Sequence, residues 1–319
     1  MKKKKNGFLN IFDKGRMLDP WSESFVPMTK EVLSPEVEKK IKSELLLIPP
    51  LPNILNQLLV IMNDVNKSSK KIAEFVSKDP VLAGKILQLV NSSFFGVKRE
   101  VKSINTAITL LGINNVKNFV LQNSFSNIFK NLDEKIFPLE EFWVHSLASS
   151  VCAYHISSEI EGFIQEDIST IALLHDLGKL AFAVLEPDKY SEYKQSAYKN
   201  PYVPDILIEE ETFGINHALL GSLLLSSWNL PDEICDTIMY HHSPPYLKPD
   251  QIPQEFRKEV VVVHFADMIS KMFDQSVQDS EIAVISEDYF TLIGKKPPLE
   301  LLLDNDIAQE ILHVKVFIK

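Results

Sequence analysis

Cysteine is scarce in this 319-residue chain: only Cys152 and Cys235 occur, each in an apolar helical pattern. No CxxC or other spaced pair is present, so both read as reduced packing residues of a cytoplasmic protein. Basic residues are also in deficit, with 33 Lys and Arg against 43 Asp and Glu and a net charge of -10. A general nucleic-acid surface needs the opposite balance to release counterions from phosphate, which disfavours that class. An acidic chain still binds anions locally where cations are bound. No apolar run approaches the length of a membrane span. The Lys2 to Lys5 run is followed by Asn6-Gly7 and Asp13-Lys14-Gly15-Arg16, which interrupt any secretory apolar region and leave a solubilising or mobile tail. Internal repeats are absent and strand-like alternation is scarce.

What the chain does have is helix punctuation and apolar residues enough for a sizeable core, at 45% hydrophobic. Ser34-Pro35-Glu36 is a start signal: a capping hydroxyl, Pro at the first helical position and a carboxylate near the positive end of the dipole. Pro49-Pro50-Leu51-Pro52 breaks the chain, after which Ile54, Leu55, Leu58, Leu59 and Met62 mark one helical face. Asp79-Pro80 opens a helix with Leu82, Ile86, Leu89 and Val90, followed by Gly96. Ser103 opens another that closes at Gly112, and Asn114 is expected to cap Val116 to Phe125. The charged stretch Lys130 to Pro138 marks a boundary. A second helical bundle follows, with Glu186 to Pro204 expected as a long excursion. Val260 to Val263 favours a strand by local propensity, but Val261, Phe265, Met268, Ile269 and Met272 step at helical spacing and decide for helix.

Five of the eight histidines fall into an ordered series with three carboxylates: Glu141, His145, His175, Asp176, His217, His241, His242 and Asp267. Glu141 and His145 stand four apart, on one face of a helix. His175-Asp176 sits at the end of a helix that buries Ile171, Leu174 and Leu177, where Gly178 is expected to break the turn. His217 begins a helix, and His241-His242 ends one before Pro244-Pro245. Asp267 lies in an otherwise apolar helix, where an unpaired carboxylate is costly to bury. A lone His-Asp pair reads as a surface or hydrogen-bonded pair. Eight ligand-type groups on five helices point instead to a metal centre of imidazole and carboxylate, suited to Mn, Fe or Zn. His264 reads as a packed helical histidine; His155 and His313 have no partner legible in the sequence. A faint helix-turn-helix pattern over Ile72 to Val90 offers Lys85 as its one basic residue on the would-be reading helix, a weak basis for DNA binding.

From Leu46 to His242 the chain resembles the HDOD family of bacterial signal-transduction proteins, within the HD superfamily of metal-dependent phosphohydrolases. The matching motifs are Leu51-Pro-Asn, Asp79-Pro-Val-Leu, Asn91-Ser-Ser-Phe-Phe-Gly, Ala107-Ile-Thr-Leu-Leu-Gly, Phe142-Trp-Val-His-Ser, Leu174-His-Asp-Leu-Gly-Lys, His217-Ala-Leu-Leu-Gly, Trp228-Asn-Leu-Pro and His241-His-Ser-Pro. The resemblance implies an all-α fold of two packed helical lobes and a regulatory role exerted through other signalling proteins. The corresponding partition is a tail over 1–34, a helical lobe over 35–130, an HD-like lobe over 139–290 and a C-terminal helical extension over 291–319.

The related HD-GYP phosphodiesterases, which linearise cyclic di-GMP, use Glu, His, His-Asp, His, His-His and Asp in this order. By that resemblance all eight residues become ligands of one to three divalent ions, and Asp176 with Lys179 become the catalytic candidates if the site is active, Lys179 meeting substrate phosphate. Two departures oppose cyclic dinucleotide recognition. Ser-Pro-Pro-Tyr follows His242 where that family has Gly-Tyr-Pro, and Lys271 is the nearest stand-in for a downstream Arg, without its bidentate geometry. The leading expectation is a metal-binding signalling protein. The rival is a phosphohydrolase acting on a nucleotide or cyclic dinucleotide.

Overall fold

The computed structural model describes residues 25–30, 33–51, 69–92, 95–158, 160–200, 203–274, 286–296, 307–308 and 310–311. The expected helix at Ile54 to Met62, the Lys2 to Lys5 tail, Phe94, the Leu301 to Leu303 segment and His313 lie outside these residues. Every regular element among the described residues is helical. They form two compact units, one holding 25–49 with 132–311 and the other 50–131.

The smaller unit contains α2 (Ser69–Val76), α3 (Pro80–Val90), α4 (Ile104–Leu111) and α5 (Ile113–Ile128), numbered after α1, which belongs to the larger unit. Asp79 caps α3, its Oδ1 accepting the N–H groups of Val81 at 2.9 Å and Leu82 at 3.1 Å. Leu82, Ile86 and Val90 then fall on the buried face, with Ile72, Phe75 and Val76 of α2 also buried. Helix α4 packs against α2, α3 and α5. Gly112 takes φ 81, closes α4 and directly precedes α5, so Asn114 lies inside α5 rather than capping it. The exposed side of α3 carries Val81 and the single cation Lys85, which donates to Asn123. That face lacks the basic stripe a DNA-reading helix needs.

The larger unit is built from α6 (Leu139–Ser158), α7 (Gln165–Leu174), α8 (Leu177–Leu185), α9 (Pro187–Lys199), α10 (Asp205–Phe213), α11 (His217–Ser227), α12 (Asp232–Tyr240), α13 (Arg257–Asp274) and α14 (Glu287–Leu292). Helix α6 packs on α7 and α13, while α11 packs on α12 and α8. Val260 to Val263 are fully buried within α13, so helical spacing prevailed over β-branched propensity. The expected excursion at 186–204 is a helix through most of its length: Pro187 occupies the first position of α9, and Tyr190 and Tyr193 bury their rings.

Helix α1 (Pro35–Leu45) is capped by Ser34, whose Oγ accepts the Val37 N–H at 3.3 Å, yet it packs on α8 and α11 of the larger unit. Ile41 and Leu45 of α1, and Ile48 just beyond it, are buried, each contributing about 1.5–3 kcal/mol when fully removed from water. Residues 25–30 are not a loose tail but a strap. Phe25 packs with Ile206 and Leu207, the Met28 N–H donates to Glu210 Oε1 at 2.9 Å, and Asn216 Nδ2 donates to the Met28 carbonyl at 3.3 Å. At the other end, Ile307 and Ile311 are buried, and Glu310 pairs with His155 of α6 at 2.8 Å. His155 therefore has a partner that its sequence context did not reveal.

The stretch Asp167–Leu185 has mean hydropathy 1.5 over 19 residues, enough by length and composition to cross a membrane, which corrects the reading that no run is that long. Here 83% of it is buried in the fold, and it is two helices broken at His175-Asp176.

Candidate metal centre

The break between α7 and α8 places the central pair. Buried Ile171, Leu173 and Leu174 anchor the end of α7, Leu177 and Leu180 the start of α8, and His175 and Asp176 occupy the turn between them. Gly178 does not break this turn; it lies inside α8. A Cβ there would stand 1.9 Å from the His217 carbonyl oxygen and 2.8 Å from the Gly221 nitrogen. The glycine thus permits α8 and α11 to touch backbone to backbone, bringing His217 beside Asp176. Asn216 fixes the start of α11 by accepting the Leu219 N–H at 2.9 Å.

Two groups of ligand atoms converge, each within 4.8 Å: Asp176 with His217, His241 and His242, and Asp176 with His145 and His175. Asp176 belongs to both. Its Oδ1 lies 3.0 Å from His217 Nε2, and its Oδ2 lies 3.6 Å from His145 Nε2 and 3.5 Å from His175 Nε2. Asp267 joins the second group, with Oδ1 3.1 Å from His145 Nε2 and 3.5 Å from His175 Nε2. Glu141, one turn before His145 on α6, is exposed and lies in neither group. Seven of the eight candidate residues are therefore brought together and the eighth is not.

The rings are held from behind. His175 Nδ1 lies 2.6 Å from the Ala172 carbonyl and His241 Nδ1 lies 2.6 Å from the Ile238 carbonyl. A carbonyl only accepts, so in both rings Nδ1 is a donor and Nε2 is the nitrogen that faces inward. Ser270 donates to the Asp267 carbonyl at 2.7 Å, which leaves its oxygen to accept from His145 Nδ1 at 3.1 Å. His217 Nδ1 lies 2.6 Å from Glu209 Oε2, so it too presents Nε2. His264 Nδ1 donates to the His241 carbonyl at 2.9 Å and pins the 241–242 corner to α13.

Charge is arranged around the same point. Burial opposes ionisation of Asp176, but Lys179, His175 and His217 hold its carboxyl well below the usual range; the Lys179 Nζ to Asp176 Oδ2 distance is 2.8 Å. Asp267 behaves alike: against burial, Lys271 at 2.8 Å and His145 keep it ionised. Burial, reinforced by the neighbouring imidazoles, pushes His241 and His242 well down. Burial also works against charge on His217, yet Glu209 and Asp176 raise its pKa to about 9.

These residues fit divalent cations. His241 Nε2, Asp176 Oδ1 and Asp267 Oδ1 are buried without a hydrogen-bond partner, although Asp176 Oδ1 and Asp267 Oδ1 each have an imidazole nitrogen close by. Unpartnered buried acceptors are costly, and inward lone pairs on neutral imidazole beside carboxylate are the donor set of Mn, Fe or Zn. His145, Lys179 and Lys271 keep 13%, 13% and 23% of their side chains exposed, so the group is open to solvent on that side.

Sequence reasoning missed Glu209, a fully buried carboxylate on α10. Within Glu209-Glu210-Glu211 it reads as one residue of a solvated acidic run. Its signal is only the apolar neighbours Ile206 and Phe213 at helical spacing.

The solved structures similar to this chain confirm the fold. An HDOD domain protein of unknown function from Geobacter sulfurreducens aligns with TM-score 0.69 at 21% identity, over 89% of this chain and 98% of that one. A candidate phosphohydrolase from Shewanella amazonensis aligns with TM-score 0.64 at 22% identity, over 87% and 96%. A candidate signal transduction protein from Marinobacter aquaeolei aligns with TM-score 0.67 at 18% identity, over 90% and 60%. The chain spans less than half the length of the curated relatives it matches, 43% of one and 17% of another. Residues 48–244 match the HDOD domain, well over half of the chain, and with the helical architecture above this places the protein in the HDOD family.

Proposed function

We propose that this HDOD protein is a cytoplasmic signal-transduction component that binds divalent cations in its larger unit and acts through protein partners. The observation that carries the metal reading is the convergence of imidazole Nε2 atoms and carboxylate oxygens around Asp176, several of them buried and unpartnered. His217, His241, His242 and Asp176 would hold one cation; His145, His175, Asp176 and Asp267 would hold a second. Family membership and the neighbour described as a candidate signal transduction protein support the signalling role. Elemental analysis and titration calorimetry with Mn, Fe and Zn test the reading. Up to two ions per chain is the expected result, and no uptake of any of them would sink it.

A phosphohydrolase reading is favoured by one separate observation: Lys179 stands at the partly exposed side of the group with its ammonium 2.8 Å from Asp176 Oδ2. Bound cations would supply electrophilic stabilisation of charge developing on a phosphoryl group. Lys179 would add a fixed positive charge for a phosphate oxygen, while Asp176 holds that ammonium in place. The substrate class is a nucleotide or cyclic dinucleotide. A panel of both, assayed with Mn and Fe, tests it: turnover that disappears in Asp176→Ala would establish the enzyme, and none from a metal-loaded protein would leave the signalling role.

A further inference from the structure

Glu209 contributes no ligand atom to either group, yet among the described residues no other carboxylate around them is buried so completely, at 0% exposure. Its Oε2 accepts twice from one residue, from the His217 backbone N–H at 2.8 Å and from His217 Nδ1 at 2.6 Å. Its Oε1 is buried without a hydrogen-bond partner. A carboxylate kept at full burial with one oxygen unpartnered costs stability, and core packing alone does not account for it. Both of its bonds go to the one residue whose Nε2 lies 3.0 Å from Asp176 Oδ1 and 3.0 Å from His242 Nε2.

We propose that Glu209 is the positioning residue of this centre: it fixes the His217 ring with Nε2 inward and, by its charge, makes that nitrogen a stronger donor to a divalent cation. The assignment rests on the metal-binding reading above. A carboxylate behind a ligand histidine locks tautomer and ring orientation and raises basicity, and losing one costs about 10–100-fold in metal affinity. Here the two-point grip goes further. By holding the His217 amide as well as the ring, Glu209 ties the start of α11 to α10, so the carboxylate that the ring bonds is itself fixed by the backbone. The His175 and His241 rings, in contrast, are held by neutral carbonyls of their own helices. His217 is thus the ligand whose donor strength depends on a separate charged residue.

The experiment compares the full chain with Glu209→Gln, Glu209→Ala and, as a control, the exposed Glu211→Gln. Mn2+ affinity is measured by competition with a chelator, and the His217 Nδ1 proton is followed by NMR in the metal-free protein. Parent and Glu211→Gln are expected to bind alike. Glu209→Gln, which keeps the acceptor but loses the charge, is expected to bind more weakly, and Glu209→Ala weakest, by about 10–100-fold. The strongly downfield Nδ1 proton is expected in the parent and absent in Glu209→Ala. Glu209→Ala binding as tightly as the parent would overturn the assignment; should that variant fail to fold, parent-like affinity in Glu209→Gln would do so. A parent that takes up no metal while showing the Nδ1 proton would remove the metal reading and this assignment with it. Mn2+ uptake by the parent without that proton would remove the assignment alone.

Discussion

The Nε2 atoms of His217 and His242 stand 3.0 Å apart. Two neutral imidazoles that meet lone pair to lone pair repel, so the contact stabilises the fold only when a proton or a cation lies between the rings. In the metal-free chain the proton is available, because Glu209 and Asp176 raise His217 to about 9 against the effect of burial. A bound cation would displace that proton and tie α11 to the end of α12.

Thermal stability is therefore expected to depend on metal. With free Mn2+ or Zn2+ at 100 times its dissociation constant, the native state gains about 2.7 kcal/mol, and chelation returns the midpoint to its metal-free value. Scanning calorimetry checks this, and a midpoint indifferent to both metal and chelator would contradict it.

Stoichiometry separates the two groups. Asp176 is common to both, so Asp176→Ala is expected to abolish binding. His241→Ala is expected to leave the His145 and His175 group loaded, and His175→Ala the His217 group. Elemental analysis of the dialysed variants reads this directly. Equal loss in all three would mean one undivided site.

Lys271 reaches Asp267, a carboxylate only 1% exposed. Lys271→Met leaves that charge without its lysine, which is expected to cost about 3 kcal/mol in the metal-free protein. In the loaded protein the cations take over the neutralisation and the cost falls. Urea denaturation of both variants with and without Mn2+ gives the four values of the cycle. Identical costs in the two states would rule out an electrostatic link between Lys271 and the metals.

Gly178→Ala pushes a methyl into the His217 carbonyl. Because the obstructing atoms are backbone, the two helices must separate, at about 1–3 kcal/mol. The same displacement moves His217 away from Asp176, so metal affinity is expected to fall together with stability. Gly84→Ala is a control, since a Cβ there meets nothing within 4 Å. Normal affinity in a Gly178→Ala protein would show that the contact serves packing alone.

Neither cysteine is expected to react with a thiol reagent in the native protein. Burial pushes the Cys235 thiol up to about 12 and Cys152 higher still, so at pH 8 almost none of either is thiolate. Both are expected to label together on unfolding in urea. Rapid labelling of the folded chain would contradict the buried positions found for them.

Much of this was legible in the sequence because helical signals are local. Ser34, Asp79, Ser103 and Asn216 each declare a helix start through one short side chain, and each does cap one. The order of the histidines anticipated a cluster, because the helix ends and turns that carry them converge on Asp176. What stayed hidden is non-local. Glu141 shares a helical face with His145, but an i, i+4 spacing does not tell whether a long side chain reaches inward or out to water. Glu209 is buried because α10 turns it toward His217, a relation across eight residues and a tight corner. Nor did the motif Leu174-His-Asp-Leu-Gly-Lys tell whether its glycine ends a turn or admits a neighbouring backbone. Nor do Ile41 and Leu45 of α1 name the helices that cover their apolar face.

Helix α13 begins thirteen residues beyond the segment 48–244 that matches the family. It supplies Asp267, the ammonium that neutralises it, the hydroxyl that orients His145 and the imidazole that pins His241. The strap at 25–30 and helix α1 precede the same segment; the strap contacts α10 and Asn216, and α1 packs on α8 and α11. The chemistry of the centre thus depends on flanks that the family pattern does not include. Two chains with equal matches to that pattern can differ in whether they hold a metal at all.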